Sequence, residues 1–341
     1  MDEFYDDEEH YEETPADPRD PGDTFLPEEA VYRFDPAGMH RERFAGLPVR
    51  RLYEGIPGRP DQVAWLLTDG TGFGFEDDKD DTALAGELDH LLRRVNPAQV
   101  TAIAVTGHGA VNAPRLLARH ARRLTRLRSV FLGFIEREYW EISWIRHGDI
   151  TPLLEAYPRL ERLEVRGSKG LELRPVTHEH LRVLRFESGG LPGAVVRAVG
   201  ASTFPALEHL ELWLGVENYG GDSTAADLDG ILSGTGLPAL RRLGLRDGER
   251  QDDVAAAVAV APVTGRLEEL SLGMGALGDR GAEALLSGRP LTHLRVLDLR
   301  HHFLSDAMVL RVLDALPGVA VDLDEQQRAE EDRRRYVAVT E

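Results

Sequence analysis

The chain has 341 residues, with 40 basic against 59 acidic side chains for a formal net charge of −19, and no cysteine. That excludes a disulfide framework, a thiolate nucleophile and a cysteine metal site, and the acidity argues against a nucleic-acid footprint or adsorption to anionic lipid. The start Met1-Asp-Glu-Phe-Tyr is no signal peptide, and no apolar run approaches the roughly 18 to 20 residues that span a bilayer, so a cytoplasmic location is expected.

Residues 1–30 are dense in Asp and Glu, with Pro15, Pro18 and Pro21 and almost no aliphatic side chains. Too little apolar surface is available to offset ordering entropy, so a disordered, solvating tail is expected. An electrostatic arm for a basic partner is the alternative. Residues 31–96 read as an N-terminal cap region, with strands over Leu47–Leu52 and Val63–Leu67 and an amphipathic helix over Asp81–Leu92. Gly70-Thr-Gly-Phe-Gly74 lacks the Gly-Lys-Ser/Thr ending of a phosphate loop and reads as a turn.

From 97 to 325 one phrase recurs, Leu-x-x-Leu-x-Leu, with its first position at Val100, Leu127, Leu160, Leu181, Leu207, Leu240, Leu267 and Leu294. A fixed phrase at a spacing of 21 to 33 residues marks a solenoid. Thr151-Pro152, Asp253–Val260, Asp279–Leu286 and Asp306–Leu313 read as helical returns, with Asp279 and Asp306 placed to cap their helices. The predicted fold is therefore an α/β solenoid, a right-handed leucine-rich-repeat horseshoe of about eight repeats with a parallel concave sheet and helical convex returns. Val319–Leu323 is the expected last strand. Residues 326–341 form a charged tail in which Tyr336–Val339 either folds back as a capping strand or stays a free peptide.

Units of 27 residues with helical returns, and the phrase Leu277-Gly-Asp-Arg-Gly-Ala-Glu-Ala-Leu-Leu286, resemble the ribonuclease-inhibitor-like class of leucine-rich repeats. One departure is clear: the corner position, where that class places Asn or Cys, holds His108, Gly189, Gly215, Gly248, Gly275 and His302. Backbone groups there need other partners, with water or each other expected. Glu141–Ile145, Asp149, Pro152–Leu154, His209–Gly215, Tyr219–Gly221 and Tyr336–Val339 together look similar to a bacterial family of cytoplasmic leucine-rich-repeat proteins with no assigned biochemical role. That resemblance implies the fold and no catalytic residue.

Between inward leucines, side chains alternate onto the concave face. Three columns follow, all expected to be exposed. One contains Arg162, His209 and Arg242; the second Phe131, Glu164, Arg185, Glu211 and Asp298; the third Arg166, Glu187, Trp213, Arg246 and Arg300. The alternating signs of Glu164, Arg185 and Glu211 predict an ion-pair ladder, at about 0–1 kcal/mol for each exposed pair. Trp213 beside Arg246 is the composition of an interface hot spot, or a stacked pair. Candidate partner-binding residues are therefore Phe131, Glu164, Arg185, His209, Glu211, Trp213, Arg242, Arg246 and Arg300. Two insertions add Trp140, Trp144 and Tyr219, for which a small local core (the tryptophans) or a glycine turn (Tyr219) is the competing reading.

No catalytic, cofactor or metal constellation is expected. His301 and His302, adjacent on a strand, point to opposite faces, and His178-Glu-His180 lacks the spacing of a zinc-protease helix. The expected function is a non-catalytic interaction scaffold, monomeric, binding a protein partner for which a basic patch suits the charge. The alternative is an enzyme accessory or substrate-recognition subunit that takes a small ligand or peptide near Trp213 and His209.

Overall fold

The computed structural model describes residues 43–68, 82–106, 111–134, 142–328 and 335–340. Among them one sheet runs in strict chain order: β1 (Arg43–Phe44), β2 (Leu47–Arg50), β3 (Ala64–Leu67), β4 (Ala102–Val105), β5 (Ser129–Leu132), β6 (Arg162–Arg166), β7 (Val183–Glu187), β8 (His209–Gly215), β9 (Arg242–Gly248), β10 (Glu269–Ser271), β11 (Val296–Asp298) and β12 (Ala320–Asp322). Pairing is parallel from β2 to β12, and β1 turns back antiparallel on β2. The tight turn between them uses Ala45 and Gly46, both at positive φ (53° and 72°).

Returns pass behind the sheet as α1 (Thr82–Arg94), α2 (Ala113–Arg119), α3 (Thr151–Ala156), α4 (Gly193–Ala201), α5 (Asp229–Ser233), α6 (Gln251–Val260), α7 (Asp279–Ser287) and α8 (Asp306–Ala315). Alternation of parallel strands and helices makes an α/β solenoid. The repeat leucines face those helices in one continuous core; Leu163, Leu184, Leu210, Leu243 and Leu270 are all buried. The unit from Leu160 to Leu181 is too short for a helix between β6 and β7. Its return is instead held to its neighbours by isolated parallel bridges, Arg146 with Lys169, Asp149 with Glu172 and Thr177 with Thr203.

The helix-capping expectation changes here. Asp279 and Asp306 are first helical residues, not caps. Ser305 caps α8 by accepting from the Met308 amide, while Asp279 Oδ1 accepts from the Ser305 amide at 2.7 Å and so ties one return to the next. Thr151 likewise lies inside α3, its amide donating to Asp149 Oδ1 at 2.9 Å. The cap region also belongs to the sheet, since β2 and β3 continue the parallel ladder into β4.

Candidate functional site

The strand register aligns the three columns as the alternation predicts. Arg162 pairs with Val183 and that with His209, Glu164 with Arg185 and that with Glu211, Arg166 with Glu187, and Trp213 with Arg246. Exposure is the correction. Phe131, Glu164, Arg185, His209, Glu211, Trp213, Arg246 and Arg300 are all buried, and only Arg242 among the concave candidates is half-buried. Aligned neighbouring strands bring the long head groups into contact, and the paired groups cover one another.

The face divides in two. Towards the N-terminal end Phe44 on β1 folds over Leu66, Ala102, Ala104 and Phe131. Its ring lies 5.6 Å from that of Phe131, which meets Phe134 edge-on at 5.2 Å. From β6 onwards the floor is ionic. Arg162 Nη1 lies 2.8 Å from Glu164 Oε1, and Arg185 spans three carboxylates, Glu164 (3.3 Å), Glu187 (3.0 Å) and Glu211 (3.1 Å). Arg166 reaches Glu187 at 2.9 Å. Glu211 then accepts from the Trp213 indole N–H at 2.8 Å and from Arg246 at 3.1 Å.

Arg246 crosses β10 to Asp298 on β11 at 3.2 Å, and Arg300 joins Asp298 (3.2 Å) to Asp322 (2.9 Å) on β12. Gly273 lies close beside this pairing, where a Cβ would come within 2.9 Å of Arg300 O and 3.0 Å of Asp298 Oδ1. The linked groups are Arg162, Arg166, Arg185, Arg246 and Arg300 with Glu164, Glu187, Glu211, Asp298 and Asp322, five of each sign. Buried in this way they are not the weak surface pairs of the sequence reading, since removing one partner strands a charge without solvent. His209 is enclosed with its Nε2 3.4 Å from Glu211 Oε2, and Arg242 sits apart, 3.7 Å from Glu269.

Corner backbone groups are served partly by each other, as expected, with the Val216 amide donating to Gly189 O (2.8 Å), Glu249 to Gly215 O (3.3 Å) and Ala276 to Gly248 O (3.0 Å), and partly by side chains. Gln251, fully buried at the start of α6, accepts from the Gly248 amide (3.0 Å) and donates to Leu245 O (2.6 Å). Ser168 donates to Gly190 O, and Ser188 to Trp213 O. The His147 ring bonds Arg166 O at 2.7 Å, and His302 joins Leu323 O to the Leu304 amide. Burial lowers the His147 pKa to about 4 and pushes those of His178, His301 and His302 down as well.

Of the insertion residues, Trp140 and Glu141, like His108 at the corner and the Gly70–Gly74 turn, lie outside the described residues. Trp144 is 48% exposed, with the Lys169 ammonium 4.7 Å from its ring centre, so it is not a local core residue. Tyr219 is half-buried and leads into Gly220 at φ 96°, the glycine turn expected of it.

Sequence reasoning missed the seat of the 335–340 segment. This strap folds back, as neither a capping strand nor a free peptide, and crosses the C-terminal ends of β7 to β11. Tyr336 packs edge-on to His301 and Phe303, Val337 is buried, and Ala338 and Val339 pack on Ile142, Trp213 and Met274. The Ala338 amide donates to Met274 O (2.8 Å), the Val339 amide to Asp247 Oδ1 (3.0 Å), and Ser143 Oγ to Thr340 O (2.5 Å). Gly189 is required beneath it, because a Cβ would lie 2.2 Å from Thr340 O.

A scan against protein-family models finds no match, and a search of curated proteins finds none. Among solved structures the chain is similar to a Bacteroides fragilis protein from a structural genomics consortium, at 26% identity and a TM-score of 0.67 over 79% of this chain and 77% of that one. It also matches TLR13 in its complex with ssRNA13, at 15% identity and a TM-score of 0.30 over 78% of this chain and 39% of that one. The first of these supports the fold, and the second is too loose to support more.

Proposed function

We propose that the chain is a cytoplasmic, non-enzymatic protein-interaction scaffold of the ribonuclease-inhibitor-like class, and that its partner docks on the edge carrying the insertions rather than on the concave floor. The observation that carries this reading is Trp144, a half-exposed indole under the Lys169 ammonium on that edge. Aromatic side chains presented this way are the usual anchors of protein interfaces. The concave candidates, by contrast, are buried and engaged with one another. A net charge of −19 suits a partner with a basic patch and makes association faster at low salt. No helix among the described residues is long and apolar enough to cross a membrane.

The test is affinity capture with quantitative mass spectrometry, comparing wild type with a Trp144→Ala, Lys169→Glu double variant of equal thermal stability. A protein captured by wild type, lost by the variant and released by added salt is the expected result. Capture that the variant leaves unchanged would remove the insertion edge as the docking surface. Turnover by the purified chain that a single His or Asp substitution abolishes would overturn the non-enzymatic reading.

A further inference from the structure

The strap lies on a row of unusual backbone positions. Asp247, Met274 and His301 occupy one equivalent corner in successive 27-residue units, and each has a left-handed φ (56°, 68° and 52°). Non-glycine residues pay roughly 1 kcal/mol or more for that conformation. Each of the three touches the strap: Asp247 through its carboxylate, Met274 through its carbonyl, and His301 through its ring. The strap itself joins no strand ladder. It is held by two backbone amides, one carbonyl, one buried valine and side-chain contacts at its start, where Arg335 lies 3.0 Å from Asp252 and the Tyr336 hydroxyl donates to Gln327 Oε1 at 2.6 Å. Side-chain pockets plus a few main-chain bonds are how a docked extended peptide is held.

The fit is incomplete at one point. Asp247 has no exposed surface, its Oδ1 takes the Val339 amide, and no described residue donates to Oδ2. A buried carboxylate oxygen without a donor is costly, and Ala338 and Val339 have no side-chain group to offer it.

We propose that the channel across the ends of β7 to β11 is a receptor for an extended peptide, that residues 335–340 fill it as a self-ligand, and that the peptide it prefers carries a side-chain hydrogen-bond donor where the strap has Ala338. The partner class is a segment of Arg-aromatic-aliphatic-small polar pattern, serine replacing the alanine, on another protein. This channel adjoins the Trp144 edge through Ile142 and Ser143, and the two readings are told apart by their variants, Trp144→Ala with Lys169→Glu for the edge and Val337→Glu for the channel.

The experiment uses the full chain carrying Val337→Glu, which removes the strap's buried anchor. Two fluorescent hexapeptides are titrated by anisotropy: Arg-Tyr-Val-Ala-Val-Thr, and the same sequence with Ala338→Ser. Saturable binding of both is expected, about tenfold tighter for the serine peptide, with that preference lost when Asp247→Ala is added. Wild type, its channel filled, is expected to bind each more weakly than V337E. A V337E chain with wild-type circular dichroism and no saturable binding would overturn the receptor. Equal affinity for the two peptides would overturn the donor preference. Should V337E not fold, hydrogen exchange of the Ala338 and Val339 amides in wild type decides the matter. Excess serine peptide accelerates their exchange if the strap is displaceable, and unchanged exchange at millimolar peptide overturns the proposal.

Discussion

On β3 to β5 the second concave column carries Leu66, Ala104 and Phe131; on β6 to β8 the same column carries Glu164, Arg185 and Glu211. Both stretches are buried, and they reach burial by different physics. The first removes apolar area from water, a term that is non-directional and forgiving of exact placement. The second must desolvate charges, and it holds only because every head group meets opposite charge at hydrogen-bond range. One architecture therefore tolerates substitution in its N-terminal part and demands geometry in the remainder.

The largest expected effect comes from the hub of the ionic part. Arg185→Ala leaves Glu164, Glu187 and Glu211 facing one another, and urea unfolding is expected to show a loss of about 3–5 kcal/mol. Replacing Glu164, Arg185 and Glu211 together by Leu, Met and Leu is expected to cost far less, because no charge is then stranded. If the single and triple variants lose equal stability, the contrast between the two parts is wrong. Phe131→Ala, in the apolar part, is expected to cost about 3 kcal/mol. That loss should not change between pH 4 and 7, whatever the starting stability.

Acid sensitivity is expected of the buried histidines, His147 on the return between β5 and β6 and His178, His301 and His302 beyond it. Between pH 6.5 and about 4 the unfolded chain takes up a proton that folded His147 refuses. Stability is thus full above pH 6.5 and falls as pH drops towards 4, by up to about 3 kcal/mol for this group. Asp247 and Asp322, whose pKa values burial raises, act in the opposite sense, with stability falling as pH rises through them. Comparing wild type with His147→Gln across this window isolates the histidine. A wild-type slope that survives the substitution would show that His147 is not its source.

Much of this was legible in the sequence. The leucine phrase fixes which residues face the helices, and period-two alternation puts Glu164, Arg185 and Glu211 side by side without any coordinates. What was not legible depends on the third dimension of the array. Burial of the columns follows from head groups on several strands covering one another, which belongs to the stack and not to any single repeat. Arg246 meets Asp298 two strands away, a reach that no nearest-neighbour pattern shows. Gln251 serves the corner from the first turn of a helix, so its role is invisible in the strand phrase. Asp247, Met274 and His301 recur at intervals of 27, but they are unlike residue types and their left-handed φ values are visible only in the structure, so they did not mark the strap's seat.

The strap has a consequence for how the array comes apart. Repeats that touch only their neighbours can fray from either end, one unit at a time, and fold without long loops to close. Ser143 and Thr340, 197 residues apart in sequence, are instead bonded to each other, and Asp247 and Val339 span a further 92. Those contacts couple the middle of the array to residues beyond its last strand. Units from β6 to β11 are thereby expected to open as one cooperative block, with a slow closing step that a simple stack of repeats does not have.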